Sequence, residues 1–249
     1  MDESVITEFI TKEGTKVPAI TVDQMKEIDR IAIEETGPNL YQMMENAGRN
    51  LAELTISILG RNMNEKNILV LAGTSGNGGG GICAARHLAN RGYQVKVCIP
   101  ESQKLKGVPE YQLHVLKSIS AKIISVEDIN KKKSEIIIDA LIGYSLNGYP
   151  KGKSHELIRW LNEQLAIIIS LDVPSGIDAT TGNHSQYFVK PDLTLMLGLP
   201  KTGLLPEVTG ELFLGDISIP HKAYNKVTKN FISPFKNNFI LKLSVDLYR

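Results

Sequence analysis

Residues 67–92 read NILVLAGTSGNGGGGICAARHLANRG. The apolar run at 67–72 has the length and residue types of a strand. Residues 80–92 have those of a helix, closed by Gly92. Between them, six of the ten residues 72–81 are glycine. Glycine takes positive φ without penalty and lets a backbone approach a ligand closely. Amides at the start of the following helix can then face a phosphate. A bare strand-to-helix turn is the competing reading, but it needs one or two glycines, not six. Asn77 is the one large polar residue inside the run.

Working outward, helical spacing of Val22, Met25, Ile28, Ile31, Ala32 and Ile33 predicts a helix over 20–36 with Thr21 as N-cap. A second helix is predicted over 40–59. Beyond the glycine run, strands are predicted at 93–100, 121–126, 134–143, 166–176, 193–200 and 211–220. Helices are predicted at 108–119 and 153–165. Continuous apolar runs such as the isoleucines at 136–138 and 167–169 mark strands covered on both faces, hence a parallel sheet. The alternation predicts a Rossmann-like, doubly wound three-layer α/β/α sandwich with a mostly parallel sheet. Without a linker or repeat, residues 1–249 read as a single domain. The tail after 221 is weakly patterned and fixes no place in the fold.

The composition is that of an ordinary soluble domain: 42% hydrophobic, 22% charged, formal net charge +1. No charge excess points to nucleic acid or to a membrane surface. Cys83 and Cys98 lack metal-ligand spacing and read as buried free thiols of a reducing compartment. The first residues carry no signal or transit pattern, and no apolar run nears the ~20 residues of a membrane span. A cytoplasmic protein is expected.

In such sheets ligands bind beyond the carboxyl ends of the strands. Four strand ends here carry polar and glycine residues: the glycine run, Asp139 with ALIGYSLNG, Asp172 with VPSGIDATTG, and GLPKTG with Lys201. Asp139 follows three isoleucines, where a carboxylate needs a cation or donors. Asn77, Asp139 and Ser175 together offer hard oxygen ligands for a cation. Val173-Pro174 holds Asp172 and Ser175 in a rigid turn; an Asx-type turn satisfying only backbone is the alternative. GNGGGG at 76–81, with Glu101 about 20 residues on, also fits a dinucleotide-binding fingerprint, a pattern that so dense a glycine run meets easily. It is the sole support for a hydride-transferring oxidoreductase.

Taken in order, MMENAG (43–48), GNGGGGICAARHL (76–88), DALIG (139–143), DVPSGIDATTG (172–182), LTLMLGLPKTGL (193–204) and GELFLGDISIP (210–220) resemble the YjeF N-terminal domain family, the NAD(P)H-hydrate epimerases. The resemblance implies a Rossmann-like fold, often dimeric. It implies exchange between the R and S forms of hydrated NADH and NADPH, feeding a separate dehydratase specific for the S form. It implies a potassium ion held by Asn77, Asp139 and Ser175. The substrate segments it implies are Gly76, Asn77, Gly78, Gly79 and Gly80, then Gly143, Tyr144, Ser145, Leu146, Asn147, Gly148 and Tyr149, with Asp172. Such a carbinolamine epimerises if its hydroxyl leaves and returns, or if its ring opens and recloses. Either path needs acid–base help. Asp172 is the expected acid/base group, and Lys201 a second group or phosphate partner. The chain departs from the family pattern at Gly76, Gly80, Tyr144 and Ser145, where relatives favour Asn, Asp, Thr and Gly. A nucleotide-binding or protein-interaction module without turnover is therefore the second reading.

Overall fold

The computed structural model describes residues 6–60, 66–119, 121–131, 133–146 and 148–248. The chain opens on β1 (Ile6–Thr11) and β2 (Lys16–Val17), then α1 (Val22–Ile31), a π turn at 32–36, and α2 (Leu40–Leu59). An alternating run follows: β3 (Asn67–Ala72), α3 (Gly76–Ala89), β4 (Gln94–Cys98), α4 (Val108–Leu116), β5 (Lys122–Ile124), β6 (Ile136–Ala140), α5 (Gly152–Leu161), β7 (Ile167–Leu171) and β8 (Leu193–Leu197). It ends with α6 (Pro206–Thr209), β9 (Glu211–Gly215), α7 (His221–Val227) and β10 (Ile240–Tyr248).

All ten strands form one sheet in the order β2-β1-β10-β9-β8-β7-β6-β3-β4-β5. From β9 to β5 every pairing is parallel. The strand order reverses between β3 and β6, which makes that junction the crevice where ligands bind in such sheets. Ile68, Val70 and Ala72 of β3 pack toward α2 and α3, while Leu69 and Leu71 pack toward Leu157, Ile158 and Leu161 of α5. The period-two alternation of a strand thus feeds two buried faces, as the continuous apolar runs require.

Both helices before the sheet start on capping boxes. Thr21 Oγ1 accepts from the Gln24 amide at 3.2 Å, and Asn39 Oδ1 accepts from the Gln42 amide at 3.1 Å. In each case the glutamine side chain returns the bond to the cap's own amide.

Two findings differ from the sequence reading. The tail, which the sequence gives no place, has one: β10 inserts antiparallel between β9 and β1. Its signal is the alternation Leu241, Leu243, Val245, which buries the two leucines and leaves Lys242 out. β1 and β2 are short and flank a turn; β1 pairs with β10 and with β2, and Phe9 and Val17 are buried in the core.

The second difference is the glycine run. α3 begins at Gly76, not at 80, so GNGGGG forms its first turns. Glycine costs about 1 kcal/mol per helical position relative to alanine, so contacts must offset a cost of several kcal/mol. A Cβ on Gly78 would stand 1.9 Å from the Gly73 carbonyl oxygen, and one on Gly81 2.5 Å from Ala140 Cβ. The glycines let α3 lie directly on β3 and β6. Glu45 ties α2 to the other side of α3, accepting from Arg86 at 2.7 Å and meeting His87 Nε2 at 2.8 Å. Burial pushes the Glu45 carboxyl up, but hydrogen bonds from Arg86, Cys83 and His87 outweigh it and bring the pKa down to about 2. Cys83 and Cys98 are buried free thiols, as expected. No helix among the described residues is long and apolar enough to cross a membrane.

Two outcomes follow from this packing. Gly81→Val forces a branched side chain into Ala140 and lowers stability by about 1–3 kcal/mol in urea denaturation, with an unchanged slope. Because Glu45 has a lowered folded-state pKa, its contribution is present above its unfolded value of 4.5 and is lost as pH falls toward about 2. In thermal melts Glu45→Gln therefore flattens the loss of stability across that window.

Candidate active site

Asp172 follows directly from β7. Its backbone sits at φ 64, in the left-handed region. That conformation costs a non-glycine residue on the order of 1–2 kcal/mol. The cost is met locally. The Asp172 amide donates to the Leu195 carbonyl at 2.7 Å. Its Oδ1 accepts from Lys201 Nζ at 2.7 Å, and its Oδ2 takes a longer bond of 3.4 Å from the Tyr144 amide.

Lys201 is completely buried. Besides Asp172, its ammonium donates to the Leu197 carbonyl at 2.9 Å, and it lies 5.6 Å from the centre of the Tyr144 ring. The chain just before α1 clamps the loop that carries it. Ile20 donates to the Pro200 carbonyl and accepts from the Thr202 amide, at 2.9 and 3.0 Å.

A second polar cluster lies at the end of β6. Asp139 is fully buried and accepts from the Ser175 hydroxyl at 2.6 Å, the Ser175 amide at 2.9 Å, the Ser170 hydroxyl at 2.8 Å and the Leu141 amide at 3.2 Å. Burial pushes its pKa up, against the pull of these bonds. The Ser175 oxygen also accepts from the Ile142 amide at 2.9 Å. Next along the chain, a Cβ on Gly143 would sit 3.2 Å from Asn77 Cγ and 3.4 Å from Asp172 Oδ2. Glycine there lets Asn77 and Asp172 come close. Both polar atoms of the Asn77 amide are buried and have no hydrogen-bond partner among the described residues. An orphaned buried amide costs on the order of 1–3 kcal/mol and calls for a partner.

Asp172, Lys201 and Asn77 open onto a cavity of about 170 Å³, which Asp139 and Ser175 do not line. Asp172, Lys201, Gly76, Asn77, Gly80, Gly143, Tyr144 and Ser145 line it, with an apolar wall that includes Met25, Met43 and Met44. Other sequence candidates fall elsewhere. Gly78 and Gly79 face Gly73 and Met44 as packing contacts and do not line the cavity. Leu146 lines a neighbouring crevice with Gly73, Thr74 and Glu101, and Ser75 and Ser145 border both spaces. Glu101 is paired with Lys104. Gly148 and Tyr149 are exposed on the outer loop, and Asn147 lies outside the described residues. At Gly80 a Cβ would meet Leu171 Cδ2 at 2.8 Å, so Leu171 fills the space a side chain would need.

The sequence reading passed over Asp29. It lines the cavity from α1 and accepts from the Tyr144 hydroxyl through Oδ2. Its other oxygen, Oδ1, is buried without a partner among the described residues. Burial pushes its pKa up, against the pull of that hydrogen bond and of Lys201. The signal was available: Asp29 stands four residues after Met25 and next to Ile28, in the apolar stripe of an otherwise amphipathic helix.

The fold is thus a Rossmann-like α/β sandwich whose half-enclosed site sits beside the reversal of strand order. The chain belongs to the family described as YjeF-related protein N-terminus, whose model matches residues 40–203. It is 52% identical over 237 residues to a protein of Dehalogenimonas lykanthroporepellens named NAD(P)H-hydrate epimerase, covering 95% of this chain and 97% of that one. It is 34% identical to a protein of Thermofilum pendens named bifunctional NAD(P)H-hydrate repair enzyme, covering 80% of this chain but 40% of that longer one. The crystal structure of yeast ynu0 superimposes with a TM-score of 0.81 at 26% identity, over 91% of this chain and all of that one.

A buried pair that loses one partner leaves an uncompensated charge, a loss of roughly 3–5 kcal/mol. Lys201→Met is expected to destabilise the protein by about that amount in chemical denaturation. Adding Asp172→Asn to it recovers much of the loss.

Proposed function

We propose that this chain is an isomerase that interconverts the R and S forms of hydrated NADH and NADPH. The observation that carries the reading is the joining of Asp172 and Lys201 in a half-enclosed cavity with a methionine wall. The relative that is 52% identical over 95% of this chain and 97% of its own length bears the name of that activity. The cavity is smaller than the roughly 300–1,000 Å³ of a whole drug-sized site. It suits the hydroxylated ring, with the rest of the dinucleotide running along the crevice lined by Gly73, Glu101 and Leu146.

Exchange at the carbinolamine carbon requires a proton to reach the departing hydroxyl and one to be taken from the entering water. Asp172 is the group for proton transfer. Lys201 holds it as an oriented carboxylate, and the low-dielectric walls strengthen its interaction with developing charge. Asn77, whose amide has no partner among the described residues, fits a cation ligand; Asp139 and Ser175 would add oxygens that are already hydrogen-bonded to each other. A potassium ion held there would supply positive charge against the buried Asp139 carboxylate. The S form produced feeds a separate dehydratase. The bifunctional relatives extend well beyond the part that this chain matches.

A binding module without turnover is the second reading. It is favoured by Gly80, which offers no side chain to the cavity while Leu171 fills the space beside it.

The test is chromatographic: pure R hydrate of NADH, purified protein in potassium buffer, and the R/S ratio followed against a blank. The expected result is exchange far above the spontaneous rate, reduced at least ~100-fold by Asp172→Asn. Nucleotide binding without acceleration selects the second reading. Exchanging potassium for tetramethylammonium is expected to lower the melting temperature, since an ion bound only by the folded state stabilises it.

A further inference from the structure

Asp29 and Asp172 are two carboxylates of one cavity in opposite settings. Asp172 is an ion-paired carboxylate beside Lys201. Among the described residues Asp29 has no cation in contact. It accepts one hydrogen bond, from the Tyr144 hydroxyl, and leaves Oδ1 buried and unpartnered. The groups facing it are Tyr144 from the loop after β6, Asp172 from the end of β7, Lys201 from the loop after β8 and Tyr224 from α7. Among the described residues, only the Tyr144 hydroxyl uses this carboxyl. An apolar residue would continue the Met25–Ile28 stripe at no desolvation cost, and a buried acid with a spare oxygen is expensive unless a ligand meets it.

We propose that Asp29 is the second proton carrier of this site, meeting the ring hydroxyl of the substrate through its unpartnered Oδ1 while Asp172 serves the other face of the ring. The proposal rests on the epimerase reading above. Asp29, as the acid, gives its proton to the hydroxyl. The carbon–oxygen bond breaks, the ring nitrogen lone pair forms a carbon–nitrogen double bond, and water leaves. Water then adds to the opposite face, the double-bond electrons return to nitrogen, and Asp172 takes the proton lost. The reverse reaction runs the same steps backward, and proton exchange with solvent through the cavity mouth resets the pair. Burial raises the Asp29 pKa, the direction that an acid in this role needs.

The sign of the pH dependence follows. Raising pH through the Asp29 pKa removes the proton that the two carboxyl groups share, so the exchange rate falls in both directions. The Tyr144 hydrogen bond favours the Asp29 carboxylate. Tyr144→Phe therefore moves this alkaline fall to higher pH.

The experiment measures kcat, KM and the pH profile of exchange for the wild type, Asp29→Asn and Tyr144→Phe, with folding checked by thermal melting. Asp29→Asn is expected to lower kcat by roughly 100-fold or more, with little change in KM and with no alkaline fall. In Tyr144→Phe the alkaline fall of the remaining exchange moves upward. Asp29→Asn with near-wild-type kcat and an intact alkaline fall overturns the proposal while leaving the epimerase standing. A Tyr144→Phe profile with an unmoved fall also overturns it, and that result does not depend on whether Asp29→Asn folds. If the wild type itself shows no exchange, the epimerase reading fails instead. Infrared difference spectra then decide the Asp29 assignment. A protonated carboxyl band at neutral pH that Asp29→Asn or, if that variant is unfolded, Tyr144→Phe removes or shifts supports the proton on Asp29. Its absence overturns it.

Discussion

The contact between the glycine face of α3 and the sheet governs the rest of the molecule. Gly78 and Gly81 bring the helix backbone against Gly73 and Ala140. Any side chain would hold it off by the width of a methyl group or more. With α3 at that depth, Asn77 falls beside Gly143, and the first turn of the helix becomes a wall of the cavity. The helix tolerates several positions of poor propensity because tertiary contact, not propensity, supplies most helical stability in a folded protein.

Around that contact the site is made of strand ends that cannot continue as strand. Asp172 turns through the left-handed region and is caught by Lys201, whose loop is clamped by the segment entering α1. That same segment leads into the helix that presents Asp29. One side of the cavity is therefore tied to the chain's beginning and the other to its middle. The buried ion pair contributes orientation more than stability, because the gain from a desolvated pair is largely offset by removing both charges from water.

Family membership and near-full-length identity to a protein named as an epimerase make nicotinamide hydrate repair the natural setting for this geometry. Gly80 has Leu171 in the space beside it. The paired carboxylate and lysine are in place.

The sequence alone determined the parallel alternation, because runs such as the isoleucines of β6 and β7 are stable only when covered on both faces. It also marked the strand ends, since Asp139, Asp172 and Lys201 break apolar runs where a sheet meets its crevice. Burial and partners were decided by tertiary structure. Glycine density looks the same in a ligand loop as in a close-packed helix, so only the sheet beneath α3 showed which of the six serve packing. Asp29 sits in a local helical pattern that says nothing of what lies across the cavity. Its role became visible when Tyr144, distant in sequence, was brought against it. β10 likewise needed its partners: a single alternating strand gains stability only from the neighbours that pair with it, and these are β9 and β1.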